Sequence, residues 1–285
     1  MAKSPYKRFF PWYDRAGRFF PLKAACFLFV LFPGVGTAIT WAVEGLGPRP
    51  VTIAIHTVGD WGVRFLLLSL AVTPFRRLFF WPKLIFVRRM LGVAAAAYIV
   101  IHFCLYVVDQ KFDLGKVASE IVLRIYLTIG FVGLVGLLAL AITSTDGMMK
   151  RLGKNWRRLH TLAYPIGVIA VIHFMLQSKS NVSEPVLMGG FFLWLMTWRA
   201  LDRARVEVTP AVLLAMAIGL TAVTALGEAS WYALASNFRF ERVFLANFNP
   251  PAMGGLRPAG WMLLTGLFVT AFAASRAESF RLRGR

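Results

Sequence analysis

The chain has four histidines, His56, His102, His160 and His173, and all fall within or at the edge of long apolar runs. An ionisable group at membrane depth is costly, so it usually faces the interior of a helix bundle and has a function there. Neutral imidazole is a good iron ligand, and facing histidines in a bundle core are a common way to hold haem. His102 lies 14 residues beyond Arg88, and His173 lies 16 beyond Arg157. On two helices running the same way, both rings stand roughly 21–24 Å from the inner boundary. The matching height predicts a haem b between His102 and His173. Hydrogen bonding between helices and a proton path remain as alternatives. A proton path would ordinarily recruit acids at depth, whereas Glu44, Asp109, Asp113 and Glu184 fall mostly in loops or at span ends.

Two further groups of residues could take part. Arg88 and His160 lie near the start of the same two helices at the inner edge, where His160 could hold a second haem. Residues 88 and 102 share one helix face, whereas 160 and 173 are offset on a straight helix; Pro165 between them can kink it. His56, Asp60 and Arg64 stack at i, i+4, i+8. They read either as an Asp60–Arg64 ion pair that fixes packing or as a polar site for quinol, flavin or a partner. Glu120 and Arg124 have the same i, i+4 spacing and are read as structural, at the start of the fourth helix.

The elements that must position these residues follow from composition. Hydrophobic residues make up 58% of the 285 and charged residues 16%, which a water-soluble domain of this size could not cover. Eight stretches are apolar enough to span a bilayer, near 24–43, 57–75, 89–108, 121–142, 157–177, 185–200, 209–227 and 259–275. Continuous apolarity, without alternation, predicts helices and not barrel strands. With the N-terminus in the cytoplasm, 23 of the 32 Lys and Arg fall on inner segments and 7 on outer ones. This bias places both termini inside. The expectation is therefore an all-α polytopic membrane protein.

The net charge of +19 is explained by this topology, and no nucleic-acid-binding motif accompanies it. Cys26 and Cys104 lie in apolar runs at different depths and are read as packing residues, not a disulfide. The run 24–43 reads as an uncleaved first span, since no small-residue cleavage site follows closely. Gly34 and Gly36 follow Pro33 inside an apolar helix, which excludes a dinucleotide loop; Leu152-Gly153-Lys154 lacks the rest of a P-loop. The outer loop 228–258 carries Trp231, Tyr232, Phe238, Phe240, Phe244 and Phe248 and ends in Asn249-Pro250-Pro251. It reads as an interfacial flap anchored by aromatic rings, with a docking surface for a periplasmic partner as the alternative.

Thr143-Ser144-Thr145, Met148, Leu152-Gly153-Lys154, Trp156, Leu159-His160 and Tyr164 resemble one family. So do His56 with Gly59, Thr73-Pro74, Arg88-Arg89 ahead of His102, Glu120 with Arg124, Tyr126, Leu127, Thr128 and Gly130, and finally His173. The family is MsrQ (also YedZ), the haem-binding membrane subunit of the periplasmic methionine sulfoxide reductase system. The likeness spans roughly residues 20–200. It implies a six-helix ferric-reductase-like haem-binding bundle over 24–206, preceded by a cytoplasmic segment 1–23. Residues 207–285 would then be an extension with about two more transmembrane helices. In such relatives the third and fifth helices each supply two histidines for two stacked haems. Here Arg88 stands at one of those positions, so haem b is expected once or twice per chain.

The resemblance further implies a non-catalytic electron-transfer subunit in the cell inner membrane. Electrons would enter from the quinone pool or through a flavin reductase or bound FMN. They would leave to a periplasmic molybdopterin-containing methionine sulfoxide reductase, the partner in a heterodimer, for repair of oxidised proteins. A ferric reductase or oxidase-like carrier to small acceptors is the alternative within the fold. A transporter, with broken helices around a midplane site, is the alternative outside it.

Overall fold

The computed structural model describes residues 10–13, 17–178, 181–249 and 255–283, and its regular elements are helical apart from one bridge between Tyr13 and Phe19. In chain order they are α1 (Pro21–Val43), α2 (Pro50–Leu78), a 3₁₀ turn (Pro82–Val87), α3 (Arg88–Asp109), α4 (Leu114–Leu123), α5 (Ile125–Ile142) and α6 (Asp146–Leu152). Then follow α7 (Lys154–His160), α8 (Ala163–Gln177), α9 (Ser183–Arg203), α10 (Pro210–Ser236), α11 (Phe240–Ala246) and α12 (Pro258–Arg283). Among the described residues, seven helical segments are long and apolar enough to cross a membrane: α1, α2, α3 with its leading turn, α5, α7–α8, α10 and α12. Of the cations counted on inner and outer segments, Lys3, Lys7, Arg8, Arg15, Lys179 and Arg285 lie outside the described set, as do Pro250 and Pro251 of the outer loop.

The expected sixth span, 185–200, falls on α9. That helix has the length, but Glu184, Arg199, two glycines and two tryptophans leave it short of the apolarity of the others. It is instead heavily buried in protein, through Pro185, Val186, Met188, Phe192, Trp194, Leu195, Trp198 and Arg199 among others.

Two expected helices are divided. The fourth does not begin at 121, because α4 ends at Leu123 and Arg124 is extended (φ −110°, ψ 104°) before α5 starts. Glu120 therefore lies in the last turn of α4, while Arg124 is at once the cap that ends α4 and the cap that opens α5. The fifth is divided at Thr161–Leu162. Pro165 explains the position: it has no N–H to offer the carbonyl four residues back, and its ring crowds that same carbonyl, Thr161. The outer loop is also more helical than its composition suggests. Trp231 and Tyr232 lie on α10, which runs to Ser236, and Phe240 and Phe244 lie on α11.

The chain forms two compact units, Met1–Val72 with Lys83–Ala170, and Thr73–Pro82 with Val171–Arg285. In the first, α3 packs against α1 and α5. Tyr98 of α3 ties α1 directly: its hydroxyl donates to the Val30 carbonyl (2.7 Å) and accepts from the Gly34 N–H (2.8 Å). The phenol thus bridges one i to i+4 step of α1, beside Pro33, whose missing N–H already weakens the helix there. Gly34 must be glycine for this approach, since a β-carbon would stand 2.9 Å from the Tyr98 oxygen. Phe29, Trp61, Phe65 and Tyr98 form an aromatic cluster around the joint, with Phe65 wholly buried.

In the second unit α10 packs against α9, α11 and α12, and α12 also meets α9. Small residues allow the close approach, as expected where helices gain little from excluding lipid. Ala217, Ala225, Ala229 and Ala259 are wholly enclosed, and a β-carbon at Gly266 would lie 2.6 Å from that of Ala217.

Candidate functional site

His102 is held by the helix it faces. Its Nδ1 lies 2.8 Å from the Ile55 carbonyl of α2. A carbonyl only accepts, so Nδ1 carries the proton, and the neutral ring keeps its lone pair on Nε2. Backbone carbonyls orient metal-ligating histidines in this way, fixing both tautomer and ring angle. Gly59, one turn beyond Ile55, makes room for the ring: a β-carbon there would lie 2.7 Å from Nδ1 and 3.0 Å from Cε1.

His160, at the end of α7, has the same tautomer for a related reason. Its Nδ1 is 3.1 Å from the Trp156 carbonyl, and its ring stacks on the Trp156 indole with centroids 3.9 Å apart. Trp156 is itself fixed by donating from Nε1 to the Thr143 carbonyl at 2.9 Å. His160 Nε2 faces the Ser144 hydroxyl at 3.3 Å, but that hydroxyl has one proton and a nearer acceptor, the Leu140 carbonyl at 2.7 Å. The Nε2 lone pair therefore has a weak partner, and the ring could exchange it for a metal. The Arg88 carbonyl, at the start of α3, accepts from the Ser69 hydroxyl at 3.3 Å.

His173 sits on α8, in the part of the chain that belongs to the second unit. Cys26 and Cys104 are free thiols.

On α2, His56 is exposed, while Asp60 and Arg64 are half-buried. The Arg64 guanidinium lies over the Trp61 ring, 4.9 Å from its centroid, a cation–π contact. At the other end of α3, Arg124 donates to Glu120 (2.9 Å) and to the Tyr126 hydroxyl (3.1 Å), while the Tyr106 hydroxyl donates to Glu120 (3.3 Å). The hydrogen bond to Tyr126, then the charges of Tyr126 and Glu120, raise the pKa of the Arg124 guanidinium above its ordinary value. The pair thus joins the ends of α3, α4 and α5, the structural role expected of it.

One cluster is absent from the sequence reading. Glu228 of α10 is fully buried, and its carboxylate accepts from four donors. Arg257 contributes Nη2 at 2.9 Å and Nε at 3.3 Å, Asn247 contributes Nδ2 at 2.6 Å, and Ser183 contributes its hydroxyl at 3.2 Å. Asn247 in turn accepts from the Ala259 N–H at 3.2 Å. The carboxylate therefore holds together the start of α9, the end of α11 and the start of α12. Its only signal in the sequence is a single acid within an apolar run.

Residues 58–171 match the family described as the ferric reductase like transmembrane component. The stretch contains His102 and His160 and ends just short of His173. A Rhodospirillum rubrum protein, the protein-methionine-sulfoxide reductase heme-binding subunit MsrQ, is 40% identical over 194 residues, covering 67% of this chain and 91% of that protein. The chain belongs to the MsrQ family. MsrQ subunits of Xanthomonas oryzae pv. oryzae and Xanthomonas campestris pv. campestris are each 43% identical over 169 residues, 59% of this chain and 78% of theirs. No solved structure matches. This MsrQ-family chain is accordingly an all-helical, multi-pass membrane protein with a ferric-reductase-like segment. About a third of it has no counterpart in the Rhodospirillum MsrQ.

Proposed function

We propose that this chain is the haem-binding, electron-transferring membrane subunit of a methionine sulfoxide reductase system. In this reading His102 and His173 are the axial ligands of one b-type haem. His160 is the ligand available to a second, with Arg88 beside it. The observation that carries the reading is the His102 ring, whose Nδ1 is engaged by the Ile55 carbonyl, which sets the tautomer that coordinates a metal through Nε2. The same tautomer at His160 supports the second position. When bound, haem supplies a one-electron carrier whose potential is tuned by its axial ligands and burial. The residues of the chain do the rest. Ile55 and Gly59 orient the His102 imidazole, and Trp156 fixes that of His160.

The names of the relatives support methionine sulfoxide reductase as the system served. We further propose that the donor is quinol or a flavin such as FMN. The acceptor would be a periplasmic molybdenum-cofactor reductase, with which this chain pairs. The charge asymmetry of the loops supports an inner-membrane location with both termini cytoplasmic. Residues 24–206 would form the haem-holding core and 207–285 an extension. The polar row His56, Asp60 and Arg64 is the place we assign to a quinol, flavin or partner contact. A second reading, a carrier of electrons to small acceptors, is favoured by the ferric-reductase-like match alone.

A reduced-minus-oxidised spectrum of the purified protein, with iron counted per chain, tests the proposal. The expected result is a b-type signal lost in His102→Ala and in His173→Ala. Two irons per chain, one of them lost in His160→Ala, would establish the second haem. A colourless, iron-free protein would refute the electron-transfer function and return transport as the leading alternative.

A further inference from the structure

The segment between α5 and α8 also carries a surface outside the contacts of His160 and Trp156 described above. Lys150, Arg151, Lys154, Arg157 and Arg158 are all exposed, and no acid lies among them. The nearest acid, Asp146, is already paired with Arg89. The turn between α6 and α7 is made by Gly153 at φ +51°, a conformation in which most side chains are strained. The two short helices pack on each other, so the five cations form one dense group on a folded element.

Exposed apolar side chains flank this group on both sides along the chain. Ile142, at the end of α5, is 65% exposed, and Leu162, just before α8, is 44% exposed. In a chain of this family such apolar surface faces acyl chains. The five cations lie on the chain between these two residues, so a bilayer that covers both would bring its phosphates to their depth. Trp156, bonded to the Thr143 carbonyl, anchors the segment against the end of α5. Long cationic side chains with apolar stems extend naturally from that depth into the headgroup layer.

We infer that the α6–α7 segment is a docking surface for anionic phospholipid headgroups. The argument rests on charge complementarity: several unopposed cations at the boundary of a membrane protein attract anionic lipid, each adding to the affinity. The open space around Gly147 and Gly153, where nothing lies within 4 Å of an added β-carbon, fits a surface that meets headgroups and not a closed pocket for a small solute. The inference is independent of the haem ligands, so the failure of either leaves the other standing.

The full-length protein in nanodiscs made from equal phosphatidylglycerol and phosphatidylcholine provides the test, with retained lipid counted by native mass spectrometry. We expect phosphatidylglycerol to be retained preferentially, and the preference to fall as salt is raised. Arg157→Gln with Arg158→Gln should weaken retention on the order of fivefold per charge removed. Arg157→Lys with Arg158→Lys should restore it. Lys111→Gln with Lys116→Gln, away from this segment, should leave it unchanged. Should the Gln pair at 157 and 158 fail to fold, Lys150→Gln with Lys154→Gln gives the same readout. Equal retention of both lipids, or a preference that survives loss of the charges, would overturn the inference. So would retention of inorganic phosphate without lipid selectivity.

Discussion

Gly59 lies directly beneath the imidazole of His102, so close that a β-carbon would stand 2.7 Å from Nδ1. The Gly59→Ala variant must therefore push the ring away from the Ile55 carbonyl or force α2 and α3 apart. We expect it to lose iron relative to wild type and to shift the electron paramagnetic resonance of the haem that remains, because ring orientation changes. Gly36→Ala is the control: nothing lies within 4 Å of its added carbon, so it should keep full haem content and stability. A Gly59→Ala protein with unaltered iron and spectrum would show that the ring is not set by α2.

Tyr98 makes two hydrogen bonds to α1 through one oxygen. Tyr98→Phe takes from the Val30 carbonyl and the Gly34 amide, beside Pro33, the hydroxyl that bridges them. The cost should be about 1–2 kcal/mol, the range for an unmade buried hydrogen bond. Thermal melting in detergent would measure it. A melting temperature equal to that of wild type would mean that α1 closes its own ladder without the phenol.

Glu228 is expected to be the most sensitive position in the C-terminal part of the chain. Glu228→Ala abandons the Arg257 guanidinium, the Asn247 amide and the Ser183 hydroxyl together, and breaking a buried pair costs about 3–5 kcal/mol. The one-third exposure of Arg257 places the expected value toward the lower end. Glu228→Gln retains an acceptor but replaces the other with a donor that faces donors, so it should fall between alanine and wild type. Limited proteolysis near residue 250 would rise in the same order. Equal melting of all three would remove the structural role.

Trp194 and Trp198 present the opposite case. Both indole N–H groups are buried without a hydrogen-bond partner. Removing a donor that has no acceptor loses no bond, so Trp198→Phe should cost only the lost packing, about 1–2 kcal/mol. Part of that would be the contact with Arg77, whose guanidinium lies 5.6 Å from the Trp198 ring centre. A larger loss, measured by melting, would point to a partner that engages the indole in the membrane.

Much of this architecture was legible because apolar length and cation placement are local properties. The run after Arg88-Arg89 did become one helix that places His102 in its second half. Pro165 was recognised as a source of distortion, and the break falls on the carbonyl it cannot use. The division at Arg124 was not legible, because Glu120 and Arg124 have the spacing of a helix pair whether the second residue is helical or the cap after it. The importance of Gly34 and Gly59 was hidden for another reason. A glycine in an apolar run has no visible partner, and what each avoids, Tyr98 and His102, lies tens of residues away. Glu228 was missed on the same ground, since Arg257 is 29 positions further on and approaches only through the packing of α10, α11 and α12.

The burial of α9 has a consequence for how the protein is made. A segment that is not apolar enough to settle alone in hydrocarbon depends on company at the moment of insertion. α9 leaves the ribosome before α10 and α12, the helices that cover it. It should therefore stay at the translocon, reversible and accessible, until those two arrive. A gene truncated after codon 206 would strand it there. The expected product is a short-lived chain cleared by membrane proteases, whatever the integrity of its first five spans.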